Sequence, residues 1–359
     1  MLSPCRIHND HHNKHNKHTD VKAAVIICAA GKRMSAGGAG GHRGDGDGGG
    51  AAAVTPGATP GATTFTPAEL EAADIMGSDS MVRILEAQTD TIVPHELPII
   101  AGYVAAGLVP PHARVLSVGC GTGAFEAAML AAFPGFEVTG IDIDEGHVER
   151  AVVRNSARGP RAEFMVGDAL HLAAEWTGTF HLVLNRHMLQ EFPPAAVAAC
   201  LAELGRVARP AGVVHILAED YGMIYFDGTA LDTDSFWRAS IEFGAAAGGD
   251  WLVGRKVARM CTQLRDAHTG APVFAPGGVS QRILTLSSLQ PADRAGLLRI
   301  WAGWAEGYTG ALSKPPGPAS RSAMSAADVR AHWEDQLAAL AGDGHGQWFI
   351  PIITAVKAP

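Results

Sequence analysis

The sequence predicts an α/β fold built on an open parallel sheet, and three observations carry that expectation. The apolar run at residues 115–118 stops on Gly119, Gly121 and Gly123, and helix-forming residues follow from 124 to 133. Further apolar runs, 136–141, 162–166, 180–184 and 213–217, recur after intervening polar or helical stretches. Each run ends on polar or acidic residues, at the strand edge where an open parallel sheet binds ligands.

The first unit is the most specific. Val115-Leu116-Ser117-Val118-Gly119-Cys120-Gly121-Thr122-Gly123 reads as a buried strand entering a tight turn. Glycines there let bare backbone approach a ligand, and the helix that follows offers free N–H groups and partial positive charge. Asp142 closes the second run roughly 20 residues on, where an acid can accept both hydroxyls of a ribose. Asp168 and Ala169 follow the third run, and Asp168 can bond an adenine amine, cap the next turn, or do both. Asn185-Arg186-His187-Met188-Leu189-Gln190 follows the fourth run, and a helix is expected over 195–207. Glu219-Asp220-Tyr221 follows the fifth. Gly119-x-Gly121-x-x-Ala124 also satisfies a dinucleotide fingerprint, so an NAD(P)-dependent oxidoreductase is an alternative at this point. No Tyr-x-x-x-Lys accompanies it.

These motifs in this order resemble class I S-adenosylmethionine-dependent methyltransferases, over residues 115–220 and more loosely from 66 to the end. The resemblance implies a Rossmann-like seven-stranded sheet with helices on both faces, an N-terminal helical cap and a helical insertion near the C-terminus. It implies S-adenosyl-L-methionine as cofactor, held by Ser117, Gly119, Cys120, Gly121, Gly123, Asp142, Ile143, Asp168, Ala169 and Asn185. Ser117 stands where the family has an acid that helps hold the cofactor's amino group, so it can hydrogen-bond there but brings no charge. That departure keeps a second alternative open, a non-catalytic binding or scaffold protein of the same fold. Ala211, in Arg209-Pro210-Ala211-Gly212, replaces a common glycine. Asn185-Arg186-His187-Met188 stands where amine-methylating relatives carry Asn-Pro-Pro-Tyr or Asp-Pro-Pro-Tyr. This is similar to the small-molecule branch that includes quinone and sterol methyltransferases.

Methyl transfer needs the nucleophile held in line and water excluded, and a base only where the nucleophile must lose a proton. By position His187 and Glu219 are the catalytic candidates, and Gln190, Tyr221, Tyr225 and Trp237 the substrate candidates. The aromatic residues after 220, in a chain only 6% aromatic, suggest an apolar or aromatic small-molecule acceptor.

The remaining organisation follows from composition. With 359 residues, 47% hydrophobic and a net charge of −8, the chain can bury a sizeable core and offers no basic stripe for nucleic acid. No apolar run is of membrane-spanning length. Five scattered cysteines form neither a disulfide nor a metal-ligand pattern, which suits a reducing compartment and a cytoplasmic location. Residues 1–65, rich in His, Gly and Ala, are expected to be a disordered tail, within which organellar targeting stays open. Residues 23–34 resemble a nucleotidyltransferase opening loop, but no matching domain follows.

Folded structure is expected to start at Thr66-Pro67-Ala68-Glu69. Two helices follow, through 83–88 and over 96–106; the resemblance implies that they cover the cofactor's mouth, with Gln88 and His95 as contact candidates. The methyltransferase domain then divides into a cap (66–110), a cofactor-binding core (111–220) and a substrate or lid region with closing strands (221–359). The last part should hold helices at 253–267 and 291–306, a capped helix from Ser325, and strands at 281–286 and 347–356. Oligomeric state is not legible.

Overall fold

The computed structural model describes residues 79–312 and 324–359. The expected tail, the 66–69 helix start and most of the loop at 310–320 lie outside them. The first element is a single helix, α1 (Asp79–Ala105). Two helices were expected here, and the chain instead runs unbroken through Pro94 and Pro98. Tertiary packing overrides the local break: Ile84 and Ile92 are buried in one hydrophobic cluster and Ile100 in another.

The core alternates as expected. It contains β1 (Arg114–Val118), α2 (Ala124–Ala132), β2 (Glu137–Asp142), α3 (Glu145–Asn155), β3 (Ala162–Val166), β4 (Phe180–Arg186), α4 (Pro194–Val207) and β5 (Ala208–Leu217). The five strands pair in parallel in the order β3-β2-β1-β4-β5. Helices connect most of them, and side chains alternate between two buried layers. In β1, Val115 enters one hydrophobic cluster while Leu116 and Val118 enter the other. In β5, Val213 enters the first and Val214 and Ile216 the second. That period of two is what a strand buried on both faces requires.

The C-terminal third adds β6 (Ile224–Asp227), α5 (Thr233–Ala246), α6 (Gly254–Gln263), β7 (Phe274–Ser287), α7 (Pro291–Leu312), α8 (Ala326–Ala341) and β8 (His345–Lys357). β8 runs antiparallel to β5, β6 and β7. β7 covers nearly the whole of one edge of β8, so β5 and β6 share the other edge in succession. The expected seven-stranded sheet is therefore β3-β2-β1-β4-β5-β8-β7. The short β6, which the sequence pattern did not reveal, continues the line of β5. β7 is also longer than its expected six residues, because its first half is broken by Pro276, Gly277 and Gly278 and shows no clean alternation.

α1 and α7 lie close together. A Cβ on Gly303 would sit 2.5 Å from Ile84, and one on Gly296 would sit 2.2 Å from Thr91. The two contacts are two helical turns apart and run in opposite chain directions, so the helices pack antiparallel through small residues. No described helix is long and apolar enough to cross a membrane.

Ala211 has φ +60°, in the left-handed region. This accounts for the glycine found at that place in the family the motifs resemble, since a Cβ is strained there. Ala211→Gly is expected to raise stability by about 0.5–1 kcal/mol, read as a higher urea midpoint at unchanged slope.

Candidate active site

The glycine loop leaves β1 with Gly119, Gly121 and Gly123 all at positive φ. At Gly123 the requirement is strict: a Cβ would lie 2.9 Å from the Ala151 backbone and 2.7 Å from the Asn155 amide. Gly121 has nothing nearer than Leu85 at 3.8 Å, so its bare backbone faces the gap below α1. Asp142, at the tip of β2, accepts from Gly121 N–H at 2.8 Å and Asp144 N–H at 3.0 Å. A carboxylate has lone pairs left for a ligand after those two bonds. Ile143 follows it, half-buried.

Ser117 is buried, and its hydroxyl donates to Glu126 Oε1 at 2.5 Å. Glu126 comes from the first turn of α2, and its second oxygen has no partner. Thus an acid does stand beside the glycine loop, supplied by the helix instead of the strand. Burial raises the Glu126 carboxyl above the usual range, although the Ser117 bond opposes that. Burial, with the charges of Glu126 and Asp142, pushes the Cys120 thiol well up. Cys120 is therefore a small buried side chain beside the site and no nucleophile.

Asp168 closes its own turn: Oδ1 accepts from Leu170 N–H at 2.8 Å and Oδ2 faces His171 Nδ1 at 2.7 Å. Ala169 is buried beneath it. Asn185 is fully buried, donates to Val118 O at 3.0 Å, and has an unpartnered Oδ1. Val118 and Asn185 are register partners on neighbouring strands, so the glycine loop and the 186–190 segment leave the sheet side by side.

His187 and Glu219 meet there. His187 Nδ1 lies 2.5 Å from Glu219 Oε1, while His187 Nε2 and Glu219 Oε2 are buried and unpartnered. The His187 backbone is held at φ +50°, an unusual value for a residue with a side chain. Gln190 Nε2 pins its carbonyl at 2.7 Å, and its N–H donates to Leu217 O at 3.0 Å. Gln190 has a free Oε1 in the same place. Asp220 is instead structural, fully buried and clamped by Arg255 at 2.6 Å through both oxygens.

Tyr221 and Trp237 lie in an aromatic cluster next to Glu219, with ring centroids 5.9 Å apart. Tyr225 is not brought to the site. It sits half-exposed on edge strand β6 against Phe349. His95 pairs with Asp293 at 2.8 Å, and Gln88 is buried in α1.

The site rests on a buried network that the sequence pattern did not reveal. Arg186 donates from Nε to both oxygens of Glu96 at 2.9 Å and lies over the Phe125 ring, 3.9 Å from its centre. Glu96 also faces His215 Nε2 at 3.1 Å, and His215 Nδ1 reaches the Tyr103 hydroxyl at 2.9 Å. Burial alone would raise the Glu96 carboxyl. The Arg186 charge and the His215 contacts outweigh it and bring the value down to about 2. Glu191 goes the other way. Burial, and then the Glu219 charge, push it up to about 7. Arg186 was visible as the neighbour of His187, but Glu96 lies 90 positions away, and no spacing rule links them.

Known proteins match this core. Residues 115–212 match the family model described as "Methyltransferase domain". This part of the chain is similar to a methyltransferase domain. Its strand order fits the Rossmann-like sheet that the motifs imply.

The ubiquinone biosynthesis O-methyltransferase of Xanthomonas axonopodis pv. citri (strain 306) is 37% identical over 108 residues, covering 30% of this chain and 44% of that protein. The protein of the same name from Aromatoleum aromaticum is 36% identical over 102 residues, covering 28% and 42%. The chain thus spans less than half the length of these curated relatives. Phosphoethanolamine N-methyltransferase 2 of Haemonchus contortus aligns with a TM-score of 0.47 and 17% identity, over 80% of this chain and 60% of that one.

The site presents groups of the kind that S-adenosylmethionine bonds. Bare left-handed backbone lies at Gly121, a carboxylate at Asp142, and unpartnered buried acceptors at Glu126 and Asn185.

Because the folded Glu96 value lies below the usual 4.5, its stabilisation is present above about 4.5 and is lost as pH falls toward about 2. Glu96→Gln strands the Arg186 charge and is expected to cost about 3–5 kcal/mol near neutral pH. Urea unfolding across pH should show that cost shrinking in acid.

Proposed function

We propose that the protein transfers a methyl group from S-adenosyl-L-methionine to a small molecule with an apolar or aromatic body and a proton-bearing nucleophile. The observation that carries this reading is the His187–Glu219 pair beside the glycine loop, with one ring nitrogen buried and free. When bound, the cofactor supplies a methyl group on a positively charged sulfur. Gly119, Gly121, Gly123 and Asp142, with Ser117 acting through Glu126, would hold it, and Asn185 would offer a further acceptor. Cys120, Ile143 and Ala169 would contribute backbone and apolar surface, and Asp168 the edge nearest adenine.

Glu219 accepts from His187 Nδ1–H, which leaves the lone pair on Nε2. A base so arranged takes the acceptor's proton at Nε2, and the Glu219 carboxylate stabilises the resulting imidazolium. The left-handed backbone at His187, pinned by Gln190 and Leu217, keeps the ring from turning away. Trp348, fully buried and 6.1 Å from His187 by ring centroids, adds apolar surface beside the imidazole and helps exclude water. The O-methyltransferase names of the relatives favour a hydroxyl as the nucleophile.

Isothermal titration with S-adenosylhomocysteine, with NADH in parallel, tests the cofactor. Micromolar binding of the first and none of the second is expected, and no binding of S-adenosylhomocysteine would overturn the reading in favour of a scaffold role. In a radiolabelled-methyl screen of phenolic and aliphatic acceptors, His187→Ala and Glu219→Gln should each lower turnover by about 10²–10⁴ while leaving S-adenosylhomocysteine affinity within a few-fold of wild type.

A further inference from the structure

His187 and Glu219 both stand past the end of the sheet. The last register pairs of β5 join Leu217 to Arg186 on β4 and to Ile352 on β8, so the ladder stops short of Glu219. The turn between α5 and α6 takes over. Gly254 N–H donates to Glu219 O at 2.9 Å, and Tyr221 N–H donates to Trp251 O at 2.9 Å. A Cβ on Gly254 would lie 2.7 Å from Ala218 O and 2.8 Å from Glu219 O, so only bare backbone can lie this close. The same turn reaches the other half of the pair. Asp250 N–H donates to Gln190 O at 2.8 Å, and the Gln190 side chain in turn pins the His187 carbonyl.

A charged clamp fastens that turn to the end of β5. Arg255, in the first turn of α6, donates from Nε to Asp220 Oδ2 and from Nη2 to Asp220 Oδ1, each at 2.6 Å. A planar guanidinium bonded in this way fixes the direction of a carboxylate as well as its distance. Asp220 adjoins Glu219 and is fully buried, and its Oδ1 also accepts from Gly222 N–H at 3.1 Å. The clamp therefore sets the turn that leaves Glu219. A Cβ on Gly222 would lie 2.4 Å from Arg255 Nη2, so the glycine keeps the space the guanidinium fills. Without Arg255, the Asp220 carboxylate would lose this ion pair inside the protein, and the turn would have to shift to reach water. The Arg255 side chain is itself 48% exposed, so the clamp is reached from solvent although the carboxylate is not.

We propose that Arg255 is a positioning residue for the His187–Glu219 pair: through Asp220 it fixes the turn that aims the Glu219 carboxylate at His187 Nδ1. The contact so aimed is 2.5 Å long and decides which ring nitrogen carries the proton. Arg255 touches neither member of the pair and acts on both through the backbone it holds. Its consequence for turnover rests on the methyl-transfer reading. Its hold on the imidazole does not.

Nitrogen-edited histidine spectra of the full chain at mildly alkaline pH test this, with His187→Gln assigning the signal. The wild-type imidazole is expected to carry its proton on Nδ1. Arg255→Ala should move a large part of that proton to Nε2, and millimolar methylguanidinium, entering the solvent-facing space left by the side chain, should restore the wild-type signal. Arg255→Lys, which keeps the charge and loses the fork, should fall between. In the radiolabelled-methyl assay, kcat of Arg255→Ala should drop several-fold and recover with methylguanidinium, while S-adenosylhomocysteine affinity stays within a few-fold of wild type. A wild-type proton position in folded Arg255→Ala, or a shift that methylguanidinium does not reverse, would overturn the proposal. If Arg255→Ala does not fold, Arg255→Lys decides, and a wild-type signal there overturns it. A loss of turnover without the proton shift defeats the positioning role alone. The shift and its rescue, in a protein that methylates no acceptor in the screen, defeat methyl transfer and leave the positioning role standing.

Discussion

The ion pair between Glu96 and Arg186 is the contact on which the site depends. It joins α1 to the tip of β4, and both partners are almost wholly removed from water. Burying two charges costs several kcal/mol each unless geometry and further bonds compensate. Here Arg186 spans both carboxylate oxygens and lies on Phe125 of α2, and His215 and Tyr103 complete the chain of contacts toward Thr354 of β8. One network therefore ties α1, the helix after the glycine loop and three strands of the sheet. His187 follows Arg186 directly, so the same network sets where the imidazole begins.

Around that anchor the site keeps polar atoms without partners. Oxygens of Glu126, Asn185, Gln190 and Glu219 and a nitrogen of His187 are buried and unbonded within the chain. Such atoms cost stability in a fold that uses them for nothing. They gather where the strands β1, β4 and β5 end, and the backbone strain at His187 lies in the same place. Stability given up there fits a site whose bonds are completed by a ligand.

Much of this was legible in the chain. Strand-glycine-helix at 115–133, the acid at Asp142 and the order of apolar runs each follow from local pattern, and the parallel core has those strands. His187 and Glu219 were each legible as residues just past a strand, at the sheet edge where ligands bind. Their pairing was not, because it needs β4 and β5 to be neighbours with Arg186 opposite Leu217. Ser117 read as a lost charge. The structure sets the Glu126 carboxyl of α2 on its hydroxyl, a contact across space that leaves no mark in the strand's own motif. Tyr225 read as one more aromatic of the cluster, but the short strand β6 turns it to the surface.

By itself, then, the sequence determined the local matters: which segments extend, where the glycines turn the chain, and which acid closes the second strand. These depend on backbone sterics and on periodicity over a few residues. Only the tertiary structure decided which distant groups share a charge or a proton. It placed Glu96 against Arg186, Glu126 against Ser117, and Glu219 against His187. Burial sets the strength of those contacts, and burial is a property of the whole packed chain and of no single segment.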